Sequence, residues 1–547
     1  MLRKYWYKEA VIYCLDVGNF LDGNSDGIGD FNGLASRIDY LNKLGISCIW
    51  LMPFYKSPRR DNGYDVMDYY AIDPDYGSFG DFVEFVRLAR ERGIRVIIDL
   101  VVNHTSDQHH WFQAARKDKK SRFRNYYIWS KEKPKDADKG IVFPGYQKST
   151  WTYDEESGEY YFHRFYDYQP DLNIDNPEVR EEICKIMGFW LQLGISGFRV
   201  DAAPFLIEMK SVDGGSGQQD DYEYLREFRD YLSLHEGDAI MLAEANVSPE
   251  DLAKYFGDGD RMNLLFNFIL NQRIMLAFAR EEVQPIIEGF RAVPPAPMGT
   301  QWANFLRNHD ELSLDKLSEE ERQEVFAAFG PKKEMQIFDR GIRRRLAPML
   351  NGDQKRLEMA YSLLLSLPGT PVLRYGQEIG MGDDLSREER NSIRTPMQWS
   401  NEVNAGFSSV PPDKVPCPPI KGGDFGYEKV NVASQHRDPD SLMSKIARMI
   451  SARRECPELG IGSYDFFETD NPAVLIHRCQ WDGNVSIMVH NLSKKKTKVK
   501  IPIKEFKETN MVDLLADQEY EQSSAGNDQL DLEGYGYRWF RLGEYSF

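Results

Sequence analysis

Runs of consecutive apolar residues alternate along most of the chain with segments whose apolar residues recur every three or four positions. The first pattern is typical of strands buried on both faces of a parallel sheet, and the second is typical of helices that cover such a sheet. The apolar runs predict eight strands, at residues 10–17, 48–53, 95–102, 197–203, 239–245, 263–268, 302–307 and 371–375. Eight strands separated by helices predict an α/β fold, a closed (β/α)8 TIM barrel.

Helices are predicted between the strands wherever the apolar residues fall on one helical face. They cover residues 35–44, 82–93, 222–234, 269–280, 357–367 and 441–454. One more helix is predicted after Asn176, because an N-cap residue followed by Pro177 is typical of a helix start.

Two segments depart from this alternation. Residues 103–169 are rich in aromatic residues and predict a subdomain inserted after the third strand. Residues 461–547 contain short alternating runs, which predict a C-terminal antiparallel β-sandwich domain. The barrel is then expected to comprise residues 1–102 and 170–460, with a glycine-rich mobile loop at 211–221 near the fourth strand.

The fourth predicted strand, Gly197-Phe-Arg199-Val-Asp201, carries an arginine and an aspartate two positions apart. Their side chains therefore lie on the same face of the strand. An aspartate kept ionised by an adjacent arginine at a strand end suits a nucleophile, and burial of such a pair costs desolvation energy that a purely structural role does not require. A buried salt bridge to a neighbouring strand is the alternative that this stretch alone leaves open.

Polar residues also follow three other predicted strands, at the ends that form the catalytic face of a (β/α)8 barrel. They are Asp99, Asn103 and His104 after the third strand, Glu244 after the fifth, and His309 and Asp310 after the seventh. Two carboxylates with a third as helper suit glycoside cleavage through an oxocarbenium-like transition state. A metal hydrolase built on His104, His109 and His110 is the weaker alternative, because the last two lie in a loop and the acids are far away in sequence.

Composition narrows the class of partner. The chain has 547 residues, 13% aromatic residues and a formal net charge of −18 spread along its length. This charge argues against nucleic acid and against an anionic membrane surface, whereas aromatic rings suit stacking on neutral sugars. The N-terminus has no apolar signal region and no apolar run is long enough to span a bilayer, so we expect a cytoplasmic enzyme.

An acidic loop with several glycines follows the first predicted strand. Oxygen-bearing residues occupy positions 1, 3, 5 and 9 of segment 22–30, and a backbone carbonyl is available at position 7. These ligands are Asp22, Asn24, Asp26, Asp30 and the carbonyl of Ile28. The pattern is typical of a calcium loop, but Gly33 stands where an EF-hand has glutamate. The segment therefore predicts a structural Ca²⁺ or Mg²⁺ site outside an EF-hand. The alternative is an Asp/Gly-rich turn that binds no metal.

Four motifs, in this order, resemble the signature regions of the α-amylase superfamily, glycoside hydrolase family thirteen. They are Asp99-Leu-Val-Val-Asn103-His104, Gly197-Phe-Arg-Val-Asp201, Ala243-Glu244 and Asn308-His309-Asp310. The stretch Gln169-Pro-Asp171-Leu-Asn173 resembles the fifth region, in the form used by oligo-1,6-glucosidases. The resemblance covers nearly the whole chain and implies a retaining α-glucoside-active enzyme without an organic cofactor.

The resemblance implies a role for each matching residue. Asp201 would be the nucleophile that forms a covalent glucosyl-enzyme, Glu244 the general acid and then base, and Asp310 the residue that stabilises the transition state. The residues that would surround the sugar are Asp61, Tyr64, His104, Phe165, Gln169, Arg199, His309 and Arg394. A second cation site would use Asn103, Asp171 and Glu208.

Further stretches, such as Phe256-Gly-Asp-Gly-Asp260 and Arg394-Thr-Pro-Met-Gln-Trp399, resemble the branch of the family that interconverts maltose and trehalose. Arg374 and Gln377 depart from that branch, where a tyrosine and an acid are common. The expected partners are small α-glucosides, namely maltose, trehalose and short maltooligosaccharides, with self-association into a homo-oligomer left open. An α-glucosidase or transglucosylase acting on short α-1,4-glucosides is the alternative.

Overall fold

The computed structural model describes residues 5–208, 210, 222–501, 511–515 and 529–542. The loop predicted at 211–221 lies outside the described residues. Eight parallel strands form a closed barrel in which every strand pairs with its neighbours in sequence, and the first pairs with the last. They are β1 (Ile12–Leu15), β2 (Cys48–Leu51), β3 (Arg95–Leu100), β4 (Gly197–Val200), β5 (Ile240–Ala243), β6 (Leu264–Phe266), β7 (Gln301–Phe305) and β8 (Thr370–Arg374). The predicted (β/α)8 barrel is confirmed.

The barrel strands are buried on both faces, as continuous apolar runs require. All four residues of β5 are buried, and so are all four of β4, which pairs with it. Gly197 begins β4 with a φ of 142°, and a Cβ atom there would lie 2.2 Å from the carbonyl oxygen of Ile240. Only glycine allows this approach, so Gly197 sets the distance between β4 and β5.

Helices follow the barrel strands along the chain. They include Phe31–Ser36, Ile38–Leu44, Phe79–Glu91, Pro177–Gln192, Glu223–His235, Pro249–Phe256, Phe268–Arg280, Gln284–Ala292, Glu319–Phe329, Gln354–Ser366 and Leu442–Arg454. The helix predicted after Asn176 is present, and the Asn176 side chain accepts a hydrogen bond from the Glu178 amide.

The single helix predicted at 35–44 is wrong in one respect. The chain forms two short helices, Phe31–Ser36 and Ile38–Leu44, separated at Arg37, whose backbone leaves the helical region at φ −106° and ψ 7°. The first of them begins early because the Asp30 carboxylate caps it by accepting from the Gly33 amide. A side-chain cap therefore sets this helix start, ahead of the apolar pattern.

The segment between β3 and helix Pro177–Gln192 contains a short helix, His110–Lys117, and a three-stranded antiparallel sheet. The sheet strands are Trp129–Ser130, Trp151–Asp154 and Glu159–Phe162. Isolated bridges join His104 to Asp171 and Tyr127 to Leu172. These bridges bring both ends of the inserted segment together at the end of β3.

The C-terminal region is antiparallel. Five strands form one sheet, in the order Ser463–Phe467, Val474–Trp481, Asn484–Asn491, Tyr537–Leu542 and Met511–Asp513, and Thr497–Lys500 pairs with Gln529–Leu532. Helix Gln354–Ser366 connects this sheet to the barrel, because Ser362 receives a hydrogen bond from Trp539 Nε1 at 2.9 Å. Among the residues described, no helix is long and apolar enough to cross a membrane.

Candidate active site

The register of three adjacent strands brings the predicted catalytic residues together. Asp99 on β3 pairs with Arg199 on β4, and Val200 pairs with Ala243 on β5. The ladder continues one residue further, since the Asp201 amide donates to Leu100 O and the Glu244 amide donates to Val200 O. Asp201 and Glu244 therefore leave neighbouring strands at the same level.

The guanidinium of Arg199 is the centre of this group. One of its terminal nitrogens, Nη1, contacts Asp99 at 2.6 Å and also Asp201, while the other, Nη2, contacts Glu244. Trp50 Nε1 donates to the second oxygen of Asp99 at 2.9 Å, which holds that carboxylate in place. Arg199 thus contacts Asp201, as the sequence predicted, and it contacts two further acids as well.

Burial raises the pKa of both facing carboxyl groups, but to different extents. The pKa of Asp201 rises to about 6, because desolvation outweighs the attraction of Arg199. The pKa of Glu244 rises to about 7, because burial and the nearby charges of Asp201 and Asp310 outweigh Arg199. Near neutral pH this arrangement favours an ionised Asp201 beside a protonated Glu244.

The residue that follows Asp201 has an unusual backbone. Ala202 has a φ of 47° and a ψ of 40°, in the left-handed region, and the helix Ala203–Leu206 begins directly after it. For a residue with a Cβ this conformation costs about 1–2 kcal/mol. It turns the chain sharply at the end of β4 and directs the Ala202 amide toward Glu244 Oε2, at 3.4 Å.

Asp310 lies among positive groups on the other side of the site. Arg394 Nη2 and Arg390 Nη1 donate to its Oδ1 at 2.8 and 2.9 Å, and His309 Nε2 lies 3.1 Å from its Oδ2. Burial opposes ionisation, but Arg390 and Arg394 outweigh it and hold the pKa of Asp310 well below its usual value. Since burial keeps the pKa of His309 low and its imidazole neutral, the two arginines supply the positive charge.

The residues predicted to surround a sugar form one connected set. The Tyr64 ring stacks on His309 with a centroid distance of 5.7 Å, and His104 Nε2 lies 3.0 Å from the Tyr64 carbonyl oxygen. Phe165 packs edge-on against His104 at 5.2 Å. Gln169 Nε2 donates to Asp61 Oδ2 at 3.0 Å. Residues from the three loops after β2, β3 and β7 thus line one pocket beside Asp201, Glu244 and Asp310.

Arg390 belongs to this pocket although the sequence did not single it out. Its two terminal nitrogens bridge Asp310, at 2.9 Å, and Asp61, at 3.1 Å. Its guanidinium lies over the ring of Phe143, 5.0 Å from the centroid, so the inserted segment covers this bridge. No sequence signal identifies Arg390, because its partners Asp61 and Asp310 are 329 and 80 positions away.

The loop 22–30 offers oxygen donors of the kind that Ca²⁺ and Mg²⁺ prefer. Asp22, Asn24 and Asp26 lie at one exposed turn, and their side chains also accept hydrogen bonds from amides of the same turn. Asp30 is buried, and its Oδ1 caps helix Phe31–Ser36 while its Oδ2 accepts from the amides of Gly23 and Asn24 in the same turn. Over the described ranges, no three or more His, Cys, Asp or Glu side chains are grouped to hold a metal. The carboxylates, the Asn24 side-chain oxygen and the backbone carbonyls of the turn are nevertheless oxygen donors of the type that Ca²⁺ takes.

The residues offered for a second cation have other partners. Lys210 Nζ lies 2.9 Å from Asp171 Oδ2 and donates to Asn103 Oδ1 at 2.7 Å, with its side chain buried. Glu208 pairs with Arg164 instead. The ammonium group of Lys210 thus contacts the side-chain oxygens of Asn103 and Asp171, which the resemblance assigned to a metal. His109 caps helix His110–Lys117 through the Trp111 amide, so it does not join His104 in a metal site.

Comparison with known proteins agrees with this geometry. The family model for the alpha amylase catalytic domain matches residues 17–462, which is most of the chain. The chain belongs to the alpha-amylase family. A second model, for the C-terminal domain of sucrose hydrolase-like proteins, matches residues 483–541 of this family member.

Relatives in the alpha-amylase family match along almost the entire chain. The trehalose synthase/amylase of Mycobacterium tuberculosis is 41% identical over 544 residues, covering 98% of this chain and 90% of the relative. The trehalose synthase of Pimelobacter is 41% identical over 550 residues, covering 98% of this chain and 96% of the relative. Among solved structures, the trehalulose synthase of Pseudomonas mesoacidophila has a TM-score of 0.77 at 26% identity, with 98% and 99% coverage. The chain is thus an enzyme of this family.

Proposed function

We propose that the chain is a retaining glucosyl-transferring enzyme that interconverts maltose and trehalose through a covalent glucosyl-enzyme. The contact of Arg199 with both Asp201 and Glu244 carries this proposal. A nucleophile and an acid that share one guanidinium are close enough to act on opposite sides of one glycosidic bond.

The first chemical step uses the two protonation states that burial favours. An oxygen of ionised Asp201 attacks C1 of the glucosyl unit, and the bond from C1 to the glycosidic oxygen breaks. Protonated Glu244 gives its proton to that oxygen, so the second glucose leaves as a neutral molecule. Asp310, which Arg390 and Arg394 keep ionised, binds the sugar hydroxyls and stabilises the positive charge that develops on the ring.

The second step returns the proton. Glu244, now ionised, removes a proton from a hydroxyl of the bound glucose, and that oxygen attacks C1 and releases Asp201. If the attacking group is the anomeric hydroxyl, the product of maltose is trehalose. If water attacks instead, two glucose molecules result, so isomerisation requires that the pocket exclude water while the glucose turns.

Two observations support isomerisation over hydrolysis. Of the relatives at 41% identity, one is named trehalose synthase and the other trehalose synthase/amylase. The pocket is also well covered, since Tyr64 is 6% exposed and Asp201 is 7% exposed, and Phe143 of the inserted segment packs on Arg390. A cover made by side chains from different loops is suited to retaining glucose and excluding water.

Anomeric proton signals followed over time, with maltose and then with trehalose as substrate, test the proposal. We expect each disaccharide to give the other, with free glucose as a minor product. Isotopically labelled glucose added to the reaction should enter the disaccharides slowly, because the cleaved glucose stays bound. Glucose as the main product from maltose, with trehalose unchanged, would identify an α-glucosidase and overturn the proposal.

We also propose that loop 22–30 binds one Ca²⁺ as a structural ion. Asp22, Asn24, Asp26, Asp30 and the Ile28 carbonyl would hold it. When Ca²⁺ is present at about 100 times its Kd, binding to the folded state alone stabilises by about 2.7 kcal/mol. We expect the thermal midpoint to rise with Ca²⁺ and to fall with a chelator.

A pair of variants separates this site from general salt effects. Asp22→Asn should lose the response to Ca²⁺. Asp118→Asn alters another exposed aspartate that accepts a hydrogen bond within its own turn, and it should keep the response. Equal thermal midpoints of the unaltered chain in Ca²⁺ and in chelator would rule out the site.

A further inference from the structure

Two histidines lie buried on the face of the C-terminal sheet that packs against the barrel. His477 belongs to strand Val474–Trp481 and His490 to strand Asn484–Asn491, and both are 0% exposed. His490 pairs with Leu475, two positions before His477, so the two histidines share one face of the sheet. Their rings are stacked, with a centroid distance of 6.2 Å and an interplanar angle of 9°.

This face of the sheet covers helix Gln354–Ser366 of the barrel. His477 Nε2 lies 3.0 Å from the carbonyl oxygen of Ser366, and His490 Nε2 lies 2.9 Å from Ser362 Oγ. Trp539 Nε1, on the neighbouring strand, donates to the same hydroxyl at 2.9 Å. All of these side chains are buried, so the sheet is held on the helix by polar contacts from which water is excluded.

Each histidine has one ring nitrogen without a partner. A carbonyl oxygen can only accept, so His477 carries its proton on Nε2 and leaves Nδ1 as an acceptor. Among the described residues, neither Nδ1 of His477 nor Nδ1 of His490 has a hydrogen-bond partner. A second proton on either ring would create a buried positive charge, which is strongly unfavourable unless a carboxylate pairs with it.

The groups around the pair offer no such carboxylate. The titratable or charged side chains on this side of the sheet and on the helices that it meets are Glu358, Arg453, Glu458, Tyr464, Cys479, Tyr537 and Arg541. Only two of them are acids, and both have other partners. Glu358 accepts from Tyr537 at 3.4 Å, and Glu458 accepts from Ser486 and lies 3.5 Å from Arg541.

We propose that His477 and His490 form an acid-sensitive lock, which holds the C-terminal sheet on helix Gln354–Ser366 at neutral pH and releases it on protonation. The neutral rings fit the buried contact and supply two of its three polar links to the helix. The charged rings do not fit, because water can reach Nδ1 only when the sheet moves away from the helix.

The direction of the pH dependence follows from the two states. In the detached state each histidine regains its ordinary pKa of about 6.5. In the docked state burial lowers the pKa of His477 to about 4, and burial together with the charge of His477 lowers that of His490 well below its usual value. Docking is therefore fully stable above about pH 6.5 and weakens as the pH falls toward about 4.

Detachment then takes up two protons. Between about pH 6 and about pH 4.5, its equilibrium constant should rise about 100-fold for each unit that the pH falls. With only one of the two histidines left, the rise should be about tenfold per unit. This slope counts the protons, so it distinguishes the lock from a general loss of stability in acid.

Hydrogen–deuterium exchange of the unaltered chain, corrected for the intrinsic effect of pH on exchange, measures detachment. Peptides that cover 354–366 and 474–491 should lose protection with a logarithmic slope of about two per pH unit. Helix Pro177–Gln192, which precedes β4, should keep its protection over the same range. An equal loss of protection in all three peptides, or no loss down to about pH 4.5, would overturn the proposal.

Single substitutions identify the groups that take up the protons. His477→Phe and His490→Phe keep an aromatic ring in the interface but cannot be protonated, so each should reduce the slope to about one. His235→Phe is the matched control, because His235 is exposed and stacks on Tyr231, and it should leave the slope at about two. An unchanged slope in both interface variants would assign the protons to other groups and overturn the proposal. If a variant does not fold, the exchange of the unaltered chain still decides.

Discussion

Asp201→Asn is expected to lower the rate of glucosyl transfer by about four orders of magnitude or more, the scale seen when a nucleophile is removed. The amide has nearly the same shape as the carboxylate and can still lie beside Arg199, but it cannot form the glucosyl ester. The loss should therefore appear in kcat, with little change in substrate binding. The loss in kcat is obtained from the rates of product formation with maltose and with trehalose.

Asp238→Asn is the matched control for this substitution. Asp238 precedes β5, so it lies at the opposite end of the barrel strands, where it pairs with Arg95 at the partly exposed surface. We expect this variant to keep its activity within about twofold, because a surface pair contributes less than about 1 kcal/mol. Retention of more than about one per cent of activity in a well-folded Asp201→Asn protein, against the loss expected for a nucleophile, would show that another group is the nucleophile.

Glu244→Gln is expected to lower kcat for disaccharides by about 10²- to 10⁴-fold, the usual contribution of a general acid and base. The leaving sugar then departs without a proton. A glucosyl fluoride needs no such proton, so formation of the glucosyl-enzyme from it should be much less impaired. A loss of the same size with glucosyl fluoride would contradict the role of Glu244 as acid.

The pH profile of kcat/KM gives a second readout for the same variant. In the unaltered enzyme, activity should fall below about pH 6, where Asp201 takes up a proton, and above about pH 7, where Glu244 loses one. Because the two groups interact, these limbs belong to the pair. Glu244→Gln should lose the alkaline limb and retain the acid limb.

The barrel and the catalytic acids were predictable because both depend on local patterns. A continuous apolar run such as β3 indicates a strand by itself, and a polar residue shortly after it, such as Asn103 or His104, must lie near the strand end. When eight such parallel strands close into a barrel in sequence order, the ends of neighbouring strands lie at the same face of the barrel. Asp201 and Glu244 must therefore lie at that face. Asp99 was predicted in the same way, from its place in the apolar run of β3.

The remaining features depend on contacts between distant segments. Arg390 meets Asp61 across 329 positions of sequence, and Lys210 meets Asn103 across 107, so no spacing rule connects them. The Asp30 cap, in contrast, is local, but an apolar pattern does not register it.

The bridge from Asp61 through Arg390 to Asp310 has a consequence for the order in which parts of the site can form during folding. Asp61 follows β2 and Arg390 follows β8, so the two can meet only after the last barrel strand has paired with the first. During synthesis, a chain that ends before β8 has Asp201 and Glu244 but an incomplete sugar pocket. Such a chain lacks Arg390, so Asp61 and Asp310 stay unbridged until the segment after β8 is in place.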